Sequence, residues 1–323
     1  MGFPIPGIEF PLAVAGLIVG FLVGLTGMGG GALMTPILVL IFGVQPLAAV
    51  SSDLVASFFM KPVGAAVHFR RGTVHLRMVG WLVIGSVPSA FAGVLLLRLL
   101  GHTHEIQSVV QYGLGVALIG AAAAIVFKAL INLRQRASGI HLTQAVSVKE
   151  VAVKPLPTIL IGVLGGLVVG MTSVGSGSLM IVCLLFLYPR LRASQLVGTD
   201  IVQAIPLVGA AAVGHLLYGD FRLSLTASVL LGAIPGTFLG ALVSSQAPSR
   251  IIRRALVIVL IASGLKLVQV GTFQLGVIVL VLAVAGEPLW ALVRRSNGLL
   301  FRPAVAAPEQ LSTTPSPAGE TVG

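Results

Sequence analysis

The sequence predicts an all-α, polytopic membrane protein built from two inverted-topology repeats whose helices are broken by glycine. Three observations carry that prediction: an apolar composition, an internal duplication and a one-sided distribution of basic residues. Of the 323 residues, 56% are hydrophobic and only 9% are charged, and the mean hydropathy is +1.06. Soluble domains carry about 25% charged residues, so a soluble enzyme is excluded. The formal charge of +11 would point to nucleic acid on a soluble protein. On a chain this apolar, Lys and Arg mark membrane topology instead, and no nucleic-acid partner is expected. A single cysteine, Cys183, excludes an intrachain disulfide framework and any multi-cysteine metal site.

The elements follow in order. Residues 9–43 are apolar but interrupted by glycine near 27–31. Apolar stretches then run over 47–69, 77–99 and 106–128, each long enough for the ~20 helical residues that cross ~30 Å of hydrocarbon. Residues 132–155 read as a polar linker carrying Arg134, Arg136, Lys149 and Lys154. A second interrupted region spans 157–188, broken near 173–177, and further spans are expected at 193–217, 223–245, 251–270 and 273–293. The organisation expected is therefore a first membrane repeat (1–131), a linker (132–155), a second repeat (156–272), an extra C-terminal helix (273–302) and a disordered tail rich in Pro, Ser and Thr (303–323).

The two interrupted regions are copies. Gly20–Met34 reads GFLVGLTGMGGGALM and Gly166–Met180 reads GLVVGMTSVGSGSLM, with eight of fifteen positions identical at a shift of 146. At a shift of 147, Asp53 pairs with Asp200, His68 with His215, Gly85 with Gly232, Pro88 with Pro235 and Gly93 with Gly240. Matched Asp, His and Pro in one register are the mark of duplication, beyond what glycine-rich composition produces.

The basic residues set the orientation. With the 132–155 linker placed in the cytoplasm, sixteen of the twenty basic residues fall on the inner side, three (Arg98, Arg222, Lys266) on the outer side, and Lys61 inside the membrane. The loop at Arg70 is then inside while its counterpart near Gly219 is outside, so the repeats run in opposite directions. The inversion holds whether each glycine-broken region is re-entrant or spans fully. The expected location is the cytoplasmic (inner) membrane, multi-pass, with the C-terminus inside.

Two features could carry chemistry. The first is the pair of breaks, Thr26, Gly27, Gly29, Gly30 and Gly31 in one copy and Thr172, Ser173, Gly175, Ser176 and Gly177 in the other. Irregular backbone at membrane depth is tolerated only where protein buries it or water lines it. A short helix after each break would aim N–H groups and a positive dipole end into it, and the hydroxyls add donors, which together make an anion cradle. Close packing by small residues is the other reading. Neither copy continues as a nucleotide-binding loop.

The second feature is a stripe on 47–69. At 100° per residue Asp53, Ser57, Lys61, Gly64 and His68 share an arc of roughly 80°. Buried ionisable groups in a membrane face a cavity or one another. Lys61 suits an anionic substrate, with an Asp53–Lys61 ion pair as the structural alternative. Gln203, one turn beyond Asp200, joins the second polar face. Asp53, Asp200, His68 and His215 are candidates for coupling or gating, with a structural role for the histidines at helix ends as the alternative.

The run TGMGGGALMTP followed by Ser51-Ser52-Asp53, and its second copy TSVGSGSLM followed by Gly198-Thr199-Asp200, resembles the TauE/SafE family of membrane permeases over roughly residues 10–270. The resemblance implies transport of sulfite, organosulfonates or other sulfur oxyanions. The second copy lacks a counterpart of Pro36 and has Ser176 where the first has Gly30, so the two half-sites are chemically unequal. The function expected is a secondary transporter of a small anion working by alternating access, with proton coupling. A passive anion channel, or an importer of another small carboxylate or oxyanion, is the alternative. No catalytic residue, cofactor or metal is expected. The partners are the small anionic substrate, the lipid bilayer and a second copy in a homo-oligomer.

Overall fold

A computed structural model describes residues 9–26, 31–99, 104–137, 151–189, 191, 193–218, 221–243 and 249–296. Gly27, Gly29 and Gly30 of the first break, positions 138–150 of the linker and the tail 303–323 lie outside the described residues.

The described residues form eleven helices and no named strand. The first half holds α1 (Phe10–Thr26), α2 (Gly31–Leu40), α3 (Pro46–Arg70), α4 (Leu76–Leu99) and α5 (His104–Ala137). The second holds α6 (Pro155–Thr172), α7 (Leu179–Leu187), α8 (Ala193–Tyr218), α9 (Leu223–Val243) and α10 (Ser249–Leu267), followed by α11 (Thr272–Ser296). Helices fit because a bilayer supplies no partner for free backbone groups, and an α-helix satisfies its own. Six of them, α3, α4, α5, α6, α8 and α9, contain stretches long and apolar enough to cross a membrane. Large apolar side chains such as Phe10, Ile18, Ile84, Val116, Leu164, Leu231 and Phe273 stand exposed on the bundle's outside, as lipid-facing positions do.

Two differences from the expected spans are physical. The span expected at 106–128 is longer: α5 runs 34 residues to Ala137, six beyond the expected end of the first repeat. Ala, Leu, Gln and Arg in that stretch are good helix formers, so a polar sequence there extends the helix instead of ending it. The region 157–188, expected as one broken unit, contains a full-length first helix, because α6 alone has 18 residues. Pro155 and Pro157 open it, where missing N–H groups cost nothing.

Glycine sets the packing. α1 lies along α9, and α6 lies along α4. A Cβ on Gly20 would collide with the Ala233 carbonyl, and one on Gly166 with the Ser86 carbonyl. A Cβ on Gly232 would collide with the Ala13 carbonyl, and one on Gly85 with the Ile159 carbonyl. Such contact between backbones is the membrane route to helix association, because lipid tails are as apolar as any side chain and association rests on close packing. Each contact in one pair recurs in the other at positions shifted by 146 on the α1/α6 side and 147 on the α4/α9 side.

The short helices lie in two separate cores. α2 contributes Leu33, Met34 and Leu38 to a cluster with Val19, Leu114, Val229 and Leu260. α7 contributes Met180, Ile181, Leu184 and Leu185 to a cluster with Val50, Leu54, Leu82 and Leu207. α2 packs against α3, and α7 against α8.

Candidate functional site: a buried polar cluster at the second break

The second break is ordered by its own backbone. α6 ends at Thr172, and Ser173 takes the left-handed conformation (φ 59°) with its N–H donating to the Val169 carbonyl at 2.7 Å. Gly175 (φ 127°) and Gly177 (φ 91°) follow in backbone conformations that side chains disfavour, which is why glycine recurs there. The Thr172 hydroxyl is spent locally, donating to Val168 O (2.6 Å) and accepting from the Val174 N–H (3.2 Å). The N–H groups of Leu179 and Met180 both donate to the Gly175 carbonyl, at 3.1 and 3.4 Å. Those two donors, expected to point free into the break, are satisfied within it, because the backbone folds back one turn before α7 begins.

α3 faces this break with its polar stripe. Asp53 is fully buried, and its Oδ2 accepts from Ser173 Oγ and from Thr35 Oγ1 on α2, both at 2.8 Å. Ser57 Oγ adds a longer contact to Oδ1 at 3.4 Å. Two turns on, Lys61 Nζ donates to Ser176 Oγ at 3.0 Å. The break therefore runs alongside α3, with Ser173 at Asp53 and Ser176 at Lys61. Lys61 is 8% exposed and lies in the electrostatic field of two carboxylates, Asp200 and Asp53.

α8 completes the cluster. Asp200, 1% exposed, lies beside the Gly177 N–H and accepts from Gln203 Nε2 at 3.1 Å. Gln203 in turn accepts from Ser86 Oγ on α4 at 3.2 Å and rests its amide on Met180 Sδ at 3.1 Å. The cluster thus draws on α2, α3, the α6–α7 break, α4 and α8.

The structure brings together Asp53, Lys61, Ser173, Ser176, Gly177, Asp200 and Gln203 from the sequence-derived set. Thr172 and Gly175 shape the break instead of presenting side chains to the cluster. Thr26 and Gly31 are the last residue of α1 and the first of α2, and their side-chain surroundings lie outside the described residues along with Gly27, Gly29 and Gly30. The two histidines are separate from the cluster and from each other. His215 is fully buried and bridges helices, with Nε2 donating to Gly170 O on α6 and Nδ1 bonded to Ser51 Oγ on α3, both at 2.8 Å. His68 is half-buried at the end of α3 and bonds Thr73 Oγ1 at 2.9 Å. Sequence reasoning missed Thr35 and Ser86. Thr35 was in view, inside the TGMGGGALMTP run, whereas no sequence pattern ties Ser86 to Gln203.

A membrane-embedded helical bundle with a buried cation, two buried carboxylates and hydroxyl-bearing irregular backbone at their side has the makings of a membrane transporter. The chain belongs to the TauE/SafE family: the family model described as "Sulfite exporter TauE/SafE" matches residues 12–267. It is similar to "Probable membrane transporter protein YjnA" of Bacillus subtilis (strain 168), 37% identical over 258 residues that cover 80% of this chain and 98% of that protein. It also resembles "Probable membrane transporter protein YdhB" of the same organism, at 23% identity over 77% of this chain and 96% of that one. A "Probable membrane transporter protein" of Xylella fastidiosa (strain 9a5c) is 24% identical over 77% of this chain and 90% of its own length. No solved structure matches the chain significantly. The protein is a multi-pass membrane transporter of this family.

Proposed function

We propose that the protein is a secondary transporter of a small sulfur oxyanion, sulfite or an organosulfonate, in the cytoplasmic membrane, and that it works by alternating access with proton coupling. The observation that carries the reading is Lys61. It is a buried cation at mid-helix, held to Ser176 of the opposite half's break. A cation at that depth is costly unless it serves an anion or a partner, and here its reach includes hydroxyls on backbone that has left the helix. The family description supplies the sulfur chemistry.

Inverted repeats rocking against each other supply the movement in this reading. Its support is the recurrence of the same glycine-to-carbonyl contacts, Gly20 on Ala233 and Gly166 on Ser86, at repeat-matched positions. Each half lends its first helix to the other, so α1 rides on α9 and α6 on α4, and the two halves pivot as interlocked units around the midplane. Substrate would dock between Lys61, Ser173 and Ser176, with the Gln203 face closing the opposite wall.

The test is flux into proteoliposomes loaded on one side with sulfite, sulfoacetate, isethionate, thiosulfate or sulfate. Saturable movement of at least one of these anions is expected. An absence of flux across the whole panel overturns the reading, and flux that rises without saturation assigns the protein to the channels.

A further inference from the structure

The buried charges do not balance. Among the described residues the buried acidic and basic side chains are Asp53, Lys61, His75, Asp200 and His215. The two histidines are held away from the cluster: His215 by Ser51 and Gly170, His75 by the Val151 carbonyl at 3.1 Å and the Met78 N–H at 3.3 Å. Among these buried side chains one cation, Lys61, faces two carboxylates, and the partly exposed Lys128 adds a second positive charge in the field of Asp200. An anion entering beside Lys61 would add negative charge to a low-dielectric interior, where uncompensated charge is costly.

The partners of the two carboxylates differ in kind. Asp200 is hydrogen-bonded by the Gln203 amide N–H, with the Gly177 N–H beside it. Asp53 is met by three hydroxyls, Thr35, Ser57 and Ser173. A hydroxyl can donate to a carboxylate or accept from a carboxylic acid by rotating its hydrogen. Asp53 therefore fits both of its protonation states by rotation of hydroxyl hydrogens alone, whereas Asp200 would need the Gln203 amide to turn over. The groups around it on every packed element are Lys61 on its own helix, Asp200 and His215 on α8, Lys128 on α5 acting in the field of Asp200, hydroxyls on α2 and the break, and nothing titratable on α9.

We propose that Asp53 takes up one proton for each monovalent anion bound, and that the Ser173 hydroxyl transmits the exchange. In the empty site the Ser173 O–H points at Asp53 Oδ2. When a proton from solvent adds to Oδ2, Asp53 becomes the donor, Ser173 Oγ accepts, and the Ser173 hydrogen turns towards the anion held by Lys61 and Ser176. The net change is one proton and one anion gained, with no covalent bond made between heavy atoms. The proposal rests on the transport reading above and adds its coupling residue and stoichiometry.

The experiment measures anion binding to purified protein in detergent between about pH 5.5 and 8, using methanesulfonate and isethionate, whose charge is fixed across that range. Proton uptake is read in parallel with an indicator dye in weak buffer. Wild type is expected to bind about tenfold more weakly per pH unit of rise, the slope for one linked proton, and to take up one proton per anion. Asp53→Asn should flatten the slope and abolish uptake. Ser173→Ala, which removes the relaying hydroxyl, should weaken binding several-fold and flatten the slope, and a slope left in place overturns the relay by Ser173. Wild-type binding without proton uptake overturns the proposal and leaves the transporter reading standing. A slope retained in Asp53→Asn but lost in Asp200→Asn overturns the assignment to Asp53. Failure of wild type to bind either sulfonate, together with no flux across the anion panel, overturns both.

Discussion

Lys61 and Gln203 are where single side chains decide most. Lys61→Met keeps length and removes charge, and it deletes the donor to Ser176. A hydrogen bond to a charged group contributes about 1.5–3 kcal/mol, so affinity for the best-bound anion should fall about tenfold or more in a binding titration. Unchanged affinity would place the anion elsewhere. Gln203→Leu strips the side-chain donor from Asp200 and the acceptor from Ser86. Leaving buried polar groups unsatisfied costs about 1–3 kcal/mol, so thermal unfolding in detergent should shift down by several degrees. The stripe from Asp53 to His68 was legible because helical periodicity fixes which residues share a face. What each meets across the interface was not. His68 and His215 occupy matched positions, and each sits against the matched residue of the other half, Gly198 and Ser51. Glycine has no hydroxyl, so His68 turns to Thr73 while His215 bonds Ser51. One missing side chain makes matched histidines chemically different.

Among elements, the glycine-packed pairs α1–α9 and α6–α4 hold the bundle. Gly20→Ala and Gly166→Ala would each drive a methyl into a backbone carbonyl that cannot move aside cheaply. Overpacking costs about 1–3 kcal/mol, and the two variants should lose similar stability because their contacts are repeat-matched. Gly80→Ala, also on α4, meets open space and should be near neutral. Comparable melting temperatures for all three would remove packing as the reason for those glycines. The helices themselves were readable from hydropathy, and a short helix follows each break, α2 (Gly31–Leu40) and α7 (Leu179–Leu187). The extent of α5 was not, because polar residues at a helix end carry no stop signal when they are good helix formers. The internal bonding of the second break was equally hidden, since the acceptor of each N–H depends on φ values that the sequence does not display.

For the whole molecule the prediction is opposite orientation. Leu76 opens α4 and Leu223 opens α9 at the repeat-matched position, and both are exposed. With Cys183 replaced by Ala, Leu76→Cys should resist a membrane-impermeant maleimide in intact cells while Leu223→Cys reacts. Reaction of both, or of Leu76→Cys alone, would contradict the inverted arrangement or its placement.

The amino-acid sequence by itself determined that this chain is a helical membrane protein and which family it joins. Those properties rest on composition, periodicity and register, which are local or one-dimensional. Only the tertiary structure decided that Asp53 joins α2 to the second break, that Lys61 reaches Ser176, and that Asp200 is met by the Gln203 amide while Asp53 is met by hydroxyls. These are contacts between residues far apart in the chain, so the donor chemistry around each carboxylate exists only once the helices have packed.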